Sequence, residues 1–306
     1  MIRVTFLGTA ASRPTVRRNV SSVAVQREGD VLLFDCGEGT QRQMMRYATG
    51  FAVGEIFITH LHADHFLGLT GLLRTMALQG RTEPLHVYGP PGSHDTLKSA
   101  VGLGVDRIAF PLTIQELEAG ARVSHDEYDV VAFGVDHGTP AVGYALVEHE
   151  RLGRFDVELA RLMGIPEGPM FGKLHKGEAV EVDGRIIEPA ELVGGTRPGR
   201  VVVYTGDTAP TESVAEVAAG AALLIHEATF GAEEEDRARQ THHSTAQGAA
   251  TIARQAGVGR LCLTHVSARY SDDTTPLEKE ARDVYPGAVI ARDGLMVELP
   301  YNEEED

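Results

Sequence analysis

The run Thr59-His60-Leu61-His62-Ala63-Asp64-His65 puts three imidazoles and a carboxylate within six residues, directly after the apolar stretch Ile56-Phe57-Ile58. Imidazole nitrogens and carboxylate oxygens suit zinc and its first-row neighbours, and crowding them is costly without a cation to share their lone pairs. The run therefore reads as a metal site at the end of a strand. A catalytic zinc takes about three protein ligands and keeps a position for water, so four ligand side chains on one turn hint at two ions with further ligands from elsewhere in the chain. Three residues fit, each closing an apolar run beside glycine or small residues: His137 after 130–135, Asp207 after 201–206 and His265 after 261–264. Strand, tight turn and ligand thus recur four times.

At 306 residues the chain can bury a substantial core, as one large α/β domain or two smaller ones. Hydrophobic residues at 42% and charged residues at 24% suggest neither disorder nor a membrane protein, and no apolar run approaches the roughly 20 residues that span a bilayer. Residues 1–8 read as a short first strand without the features of a signal peptide. Cys36 and Cys262 stand in separate strand-like contexts and read as buried, reduced core residues. That favours the cytoplasm, unless the two pair in an oxidising compartment.

A formal charge of −16 argues against a generic nucleic-acid binder, because phosphate binding needs a basic footprint. Counted locally the objection weakens. Residues 151–200 hold eight Lys/Arg against eight Asp/Glu, and the stretch 13–18 is basic. The terminal Glu303-Glu304-Glu305-Asp306 reads as a solvated tail.

Apolar patterning predicts strands near 3–6, 22–26, 31–34, 55–58, 86–88, 130–135, 141–147, 200–204, 223–225, 260–263 and 295–299. It predicts helices near 40–47, 66–78, 92–103, 212–218, 245–255 and 277–284, with Ser244 or Thr245 as N-cap of the fifth. Two series of short β-branched runs mixed with helices suit two sheets packed face to face with helices outside. Residues 151–195 fit that sandwich poorly and read as an inserted arm, rich in Gly and Pro over 162–177; an ordinary two-turn connector is the plainer reading.

The stretches Phe34-Asp35-Cys36-Gly37-Glu38-Gly39-Thr40-Gln41, the metal run, Gly206-Asp207-Thr208, His226-Glu227-Ala228-Thr229, His243-Ser244-Thr245, and Thr264-His265-Val266-Ser267 with Arg269-Tyr270 follow one another in order. Together the chain resembles, from first strand to last helix, the metallo-β-lactamase superfamily, and more narrowly its tRNase Z (ribonuclease Z) family of tRNA 3′-end processing endonucleases. The resemblance implies an α/β, four-layer αββα sandwich over residues 1–306, with a flexible arm at 151–195 as a tRNA-binding exosite. It implies two zinc ions per subunit, manganese or another divalent ion being the alternative. His60, His62 and His137 would hold one ion, Asp64, His65 and His265 the second, and Asp207 would bridge them.

In that scheme Asp64 orients the nucleophilic water and takes its proton, His243 protonates the departing ribose 3′-oxygen, and Glu227 fixes the His243 tautomer. Plainer readings stay open: His243 can simply join a helix cap, and Glu227 can be a structural carboxylate satisfied by backbone amides. His242 has the better claim to a plain role. RNA contacts are implied at Gly168, Pro169, Lys173 and Lys176 of the arm, where two ammonium groups three residues apart meet adjacent phosphates. Arg17, Arg18 and Asn19 are expected near the site, although the family's basic residue two before the Arg is Val16 here. The implied activity removes 3′ trailers from precursor tRNA, leaving a 3′-hydroxyl on the tRNA and a 5′-phosphate on the trailer. The implied assembly is a homodimer in which one arm serves the partner's site, with no membrane association. The ligand set alone also suits another binuclear hydrolase of this fold, acting on a thioester or sulfate ester; a catalytically silent RNA-binding protein would be marked by lost ligands.

Overall fold

The computed structural model describes residues 1–104 and 108–301, so the acidic terminus 303–306 lies outside the described residues. The chain divides into two compact units, one of residues 1–147 with 201–301 and one of residues 148–200. In the first unit, β-branched and aromatic runs form two seven-stranded sheets. One has the order Met296–Leu299, Ile2–Gly8, Ser22–Arg27, Asp30–Phe34, Glu55–Phe57, Leu85–Gly89, Leu112–Glu116, antiparallel over its first four strands and parallel thereafter. The other has the order Val289–Ile290, Leu261–Thr264, Leu223–Glu227, Val201–Tyr204, Val142–Glu148, Tyr128–Gly134, Arg122–Ser124, its first four strands parallel.

Both faces of each sheet are buried, and the two-residue side-chain period sorts them. Ile2, Val4 and Phe6 of the first sheet point to the same core as Val130, Tyr144 and Val202 of the second. Phe57 joins the layers, its ring 4.8 Å from Tyr88 and 5.2 Å from Tyr144. The intervening positions face helices: Leu7, Leu33 and Ile56 pack with Leu69, Leu72 and Leu97, and Val203, Leu224 and Leu263 pack with Ala249, Ala253 and Leu277. The unit is therefore a helix–sheet–sheet–helix sandwich. Among the described residues no helix is long and apolar enough to cross a membrane.

The strands Leu112–Glu116, Arg122–Ser124 and Val289–Ile290 are absent from the sequence-based expectation; each lies at or next to a sheet edge, is short, and is partly exposed, so apolar alternation does not mark it. The expected helix 66–78 is interrupted, with Ala63–Phe66 and Gly68–Leu78 meeting at Leu67. Helix Glu235–Gln240 was likewise not expected, its window being mostly charged.

Residues 148–200 have a core of their own. Helices Val157–Leu162 and Pro169–His175 and the antiparallel hairpin Val180–Val182 with Arg185–Ile187 enclose Ala160, Ile165, Leu174, Val180, Ile187 and Leu192. None of these elements exceeds two helical turns or three strand residues, which is why periodicity gave no signal. The buried pair Arg200–Glu148, at 2.6 Å, joins the two ends of the segment.

Close approaches at glycines set the turns. Gly206, φ +61°, follows strand Val201–Tyr204, and a Cβ there would lie 2.7 Å from that of Thr59. At Gly68 a Cβ would collide with the carbonyl oxygen of Gly37, and its N–H donates to Cys36 O at 2.8 Å. We predict that Gly68→Ala costs about 2 kcal/mol or more by displacing helix Gly68–Leu78. An unchanged urea midpoint would contradict this packing.

Candidate metal centre

The seven residues singled out around the metal run converge at the ends of strands of both sheets. Asp207, on the turn after Gly206, is buried, and its Oδ2 lies 3.7 Å from His60 Nε2, 3.4 Å from His65 Nε2, 3.7 Å from His137 Nε2 and 3.3 Å from His265 Nε2. His62 Nδ1 is 2.9 Å from His60 Nε2 and 3.1 Å from His137 Nε2. Asp64 Oδ2 is 3.5 Å from His65 Nε2 and 3.3 Å from His265 Nε2. His60, His62, His137 and Asp207 form one group whose ligand atoms lie within 4.8 Å of one another, and Asp64, His65 and His265 form another.

Hydrogen bonding fixes what these atoms offer. The Thr59 hydroxyl donates to the Asp35 carboxylate and so accepts from His60 Nδ1–H at 3.0 Å. His65 Nδ1–H donates to Asp35 Oδ2 at 2.7 Å, and His137 Nδ1–H to the His242 carbonyl at 3.1 Å. His265 Nδ1–H donates to Thr229 Oγ1 at 2.8 Å, whose own proton goes to Glu227 Oε2 at 2.7 Å. With four Nδ1 protons directed outward, each ring, wherever Nε2 is deprotonated, turns that lone pair toward Asp207, itself an acceptor. Among the described residues, His65 Nε2 and Asp207 Oδ1 are buried without a hydrogen-bond partner. Acceptors facing acceptors repel until positive charge lies between them, and this donor set fits divalent ions.

The electrostatics make the same demand. Burial opposes an imidazolium at His65, yet Asp207, Asp35 and Asp64 raise its pKa well above the ordinary range. Burial likewise opposes ionisation of Asp64, but His65 and His265 outweigh it and hold the carboxylate charged. His60 and His137 are pushed down, first by burial, and stay neutral as ligands must.

Beside this array, Glu227 is fully buried and accepts from Thr208 N at 3.0 Å, Thr229 N at 3.1 Å and His243 Nδ1 at 2.6 Å. It is thus both a carboxylate satisfied by backbone amides and the partner of His243. Burial disfavours charge on His243, but the Glu227 carboxylate outweighs it and its pKa is raised to about 9. Among the described residues its Nε2 makes no hydrogen bond, and the ring lies nearly parallel to His265 at 5.4 Å. Thr245 caps helix Ala246–Ala256 through Gly248 N at 3.0 Å, while the Ser244 hydroxyl donates to Thr208 O at 2.7 Å.

The expected RNA contacts are distributed differently. Gly168, Pro169, Lys173 and Lys176 are exposed around helix Pro169–His175 of the 148–200 unit. Arg17 is exposed, 3.6 Å from Asp272. Arg18 is 7% exposed, and its guanidinium donates to Thr9 Oγ1 at 2.7 Å and to the Ala291 carbonyl. Asn19 is similarly engaged, its side-chain amide donating to Glu38 O at 2.8 Å and its backbone N–H to Asp293 at 2.6 Å.

Asp35, Thr59 and Thr229 orient three of the imidazoles and drew no role from the sequence, although all three lie in motifs read there. Their partners stand up to 169 residues away in the chain, so only the fold reveals them. Asp35 accepts from Thr59 N, His65 Nδ1 and Tyr204 Oη. We predict that Asp35→Ala lowers divalent-ion affinity by about 10- to 100-fold, read by titration against a chelator. Unchanged affinity would remove the orienting role.

Residues 15–150 match the metallo-β-lactamase superfamily and residues 184–266 the β-lactamase superfamily domain. The chain is 58% identical to a ribonuclease Z of Gemmatimonas aurantiaca over 98% of its length and 97% of that protein's. It is 52% identical to a ribonuclease Z of Myxococcus xanthus over 99% of both. The crystal structure of the short form of human tRNase Z superimposes with a TM-score of 0.71 at 28% identity, covering 97% of this chain and 99% of that one. Full-length identity at this level, on a fold and ligand array of this kind, means that the chain belongs to the ribonuclease Z family of the metallo-β-lactamase superfamily.

Proposed function

We propose that this protein is a metal-dependent endoribonuclease that removes 3′ trailers from precursor tRNA. The observation that carries this reading is the inward-facing ligand array beside the Glu227–His243 pair, in a chain 58% identical to a named ribonuclease Z. His60, His62 and His137 would hold one divalent ion and Asp64, His65 and His265 a second, with Asp207 as the ligand offered to both. Five imidazoles favour zinc over oxygen-seeking magnesium or calcium. When bound, such ions supply Lewis acidity toward a phosphodiester and lower the pKa of water.

The chain's own groups handle the protons. Asp64 Oδ2 is held by the Ser12 N–H at 2.7 Å, and in this reading it orients the attacking water and accepts its proton. His243, its Nδ1–H fixed on Glu227, donates from Nε2 to the departing ribose 3′-oxygen. The water oxygen bonds to phosphorus as the bond to the 3′-oxygen breaks, leaving a 3′-hydroxyl on the tRNA and a 5′-phosphate on the trailer. Lys173 and Lys176, exposed in a segment of balanced charge, are the proposed contacts to the tRNA body. The proposal includes a homodimer, on the family resemblance, and a cytoplasmic location, supported by two buried free cysteines whose thiols burial pushes up to about 12.

Cleavage of a 3′-extended precursor tRNA, with both new ends mapped, tests this directly. One cut with the stated end groups, abolished in Asp64→Ala and slowed about 10²- to 10⁴-fold in His243→Ala, is expected; no cut by metal-loaded protein overturns the reading. A proton donor must be protonated, so activity should fall as pH rises through the His243 pKa of about 9. Glu227→Gln removes the charge that raises this pKa and should move the alkaline limb to lower pH. An unmoved limb would exclude His243 as the titrating donor.

A further inference from the structure

His243 lines a cleft of about 460 Å³ together with Arg13, Phe230, Arg237 and Arg269. Three guanidiniums on one cleft are a local reversal of sign in a chain of net charge −16. They are not equally available. Arg269 is ion-paired with Glu234, which also accepts from the Tyr270 hydroxyl at 2.8 Å. Arg13 is exposed, and among the described residues its side chain makes no hydrogen bond or ion pair. Arg237 lies 5.6 Å over the Phe230 ring, and Glu234, already engaged, is 4.0 Å away.

Both cations ride on segments tied to the reacting groups. Arg13 follows Ser12, whose N–H bonds Asp64. Helix Glu235–Gln240, which carries Arg237, accepts the His243 N–H through Ala238 O at 2.8 Å, and Phe230 meets the His243 ring edge-on at 6.0 Å. Resting on the reading above, in which His243 protonates the leaving 3′-oxygen, the ribose bearing that oxygen must lie against His243, in this cleft. The next charge along that strand is the phosphate on the 5′ side of the same nucleotide.

We propose that Arg13 and Arg237 grip that phosphate and so position the last retained nucleotide for cleavage. Guanidinium forks suit phosphate oxygens, and the cleft walls are exposed enough to admit one.

The test is a chemical and protein double cycle. A precursor tRNA carrying a single neutral methylphosphonate 5′ to the last retained nucleotide is compared with the unmodified RNA, using wild type, R13A/R237A and R13K/R237K. Wild type should lose about tenfold in kcat/KM on the modified RNA, R13A/R237A should lose at most about twofold more than it already has, and R13K/R237K should retain part of the sensitivity. The salt slope of kcat/KM on unmodified RNA should also flatten by about 0.7 in R13A/R237A, one phosphate contact on a single strand. Full tenfold sensitivity in R13A/R237A, or none in wild type, overturns the inference while leaving the proposed function intact. Failure of wild type to cut any precursor tRNA sinks the functional reading and this inference with it.

Discussion

The carboxylate of Asp35, wholly buried and on backbone with φ at 55°, accepts hydrogen bonds from Thr59 and His65, beyond one sheet's Glu55–Phe57 strand, and from Tyr204 of the other sheet. One carboxylate thus pins the two sheets together at their active edge and directs His65 Nε2 inward. A buried carboxylate is tolerable only when saturated in this way, and the same saturation makes it an orienting group. Burial, and then Asp35, push the Tyr204 phenol well above its ordinary pKa, so it remains a donor.

Strain is gathered in the same place. Asp35, His242, His265 and Ser12 are four of the seven non-glycine residues with positive φ among the described residues. Each such backbone costs roughly 1–2 kcal/mol. His265 presents its ring to Asp207 from that conformation, His242 turns its carbonyl onto His137, and Ser12 turns its N–H onto Asp64. Ligand geometry is therefore held by backbone that the surrounding sheets keep out of its preferred regions. The sandwich is the rigid support that this requires.

Much of the site was legible before the fold. His60, His62, Asp64 and His65 are adjacent in sequence, and His137, Asp207 and His265 each end an apolar run, so strand periodicity points to them. The long strands and the alanine-rich helix Ala246–Ala256 were legible for the same reason. An arginine in a basic loop reads as a phosphate contact, and only the fold shows that the donors of Arg18 pair with Thr9 and Ala291. Arg237 was invisible for the opposite reason: its helix lies among acidic residues, and only the tertiary placement of Phe230 and His243 gives it a cleft. Patterns local in sequence were readable; partners that meet through topology were not.

The net charge of −16 and an RNA substrate are reconciled by where the cations stand. Positive charge is needed at the reacting phosphate and at a few anchor points, and a long-range basic field is not required for either. The central requirement is that cations fill the array of inward lone pairs around Asp207. Metal content of the dialysed protein by inductively coupled plasma mass spectrometry, with Asp207→Ala alongside, tests this most directly. About two divalent ions per chain are expected in the wild type and one or fewer in the variant; a wild type that retains none, or a variant that retains both, would show that the array does not hold metal in this way.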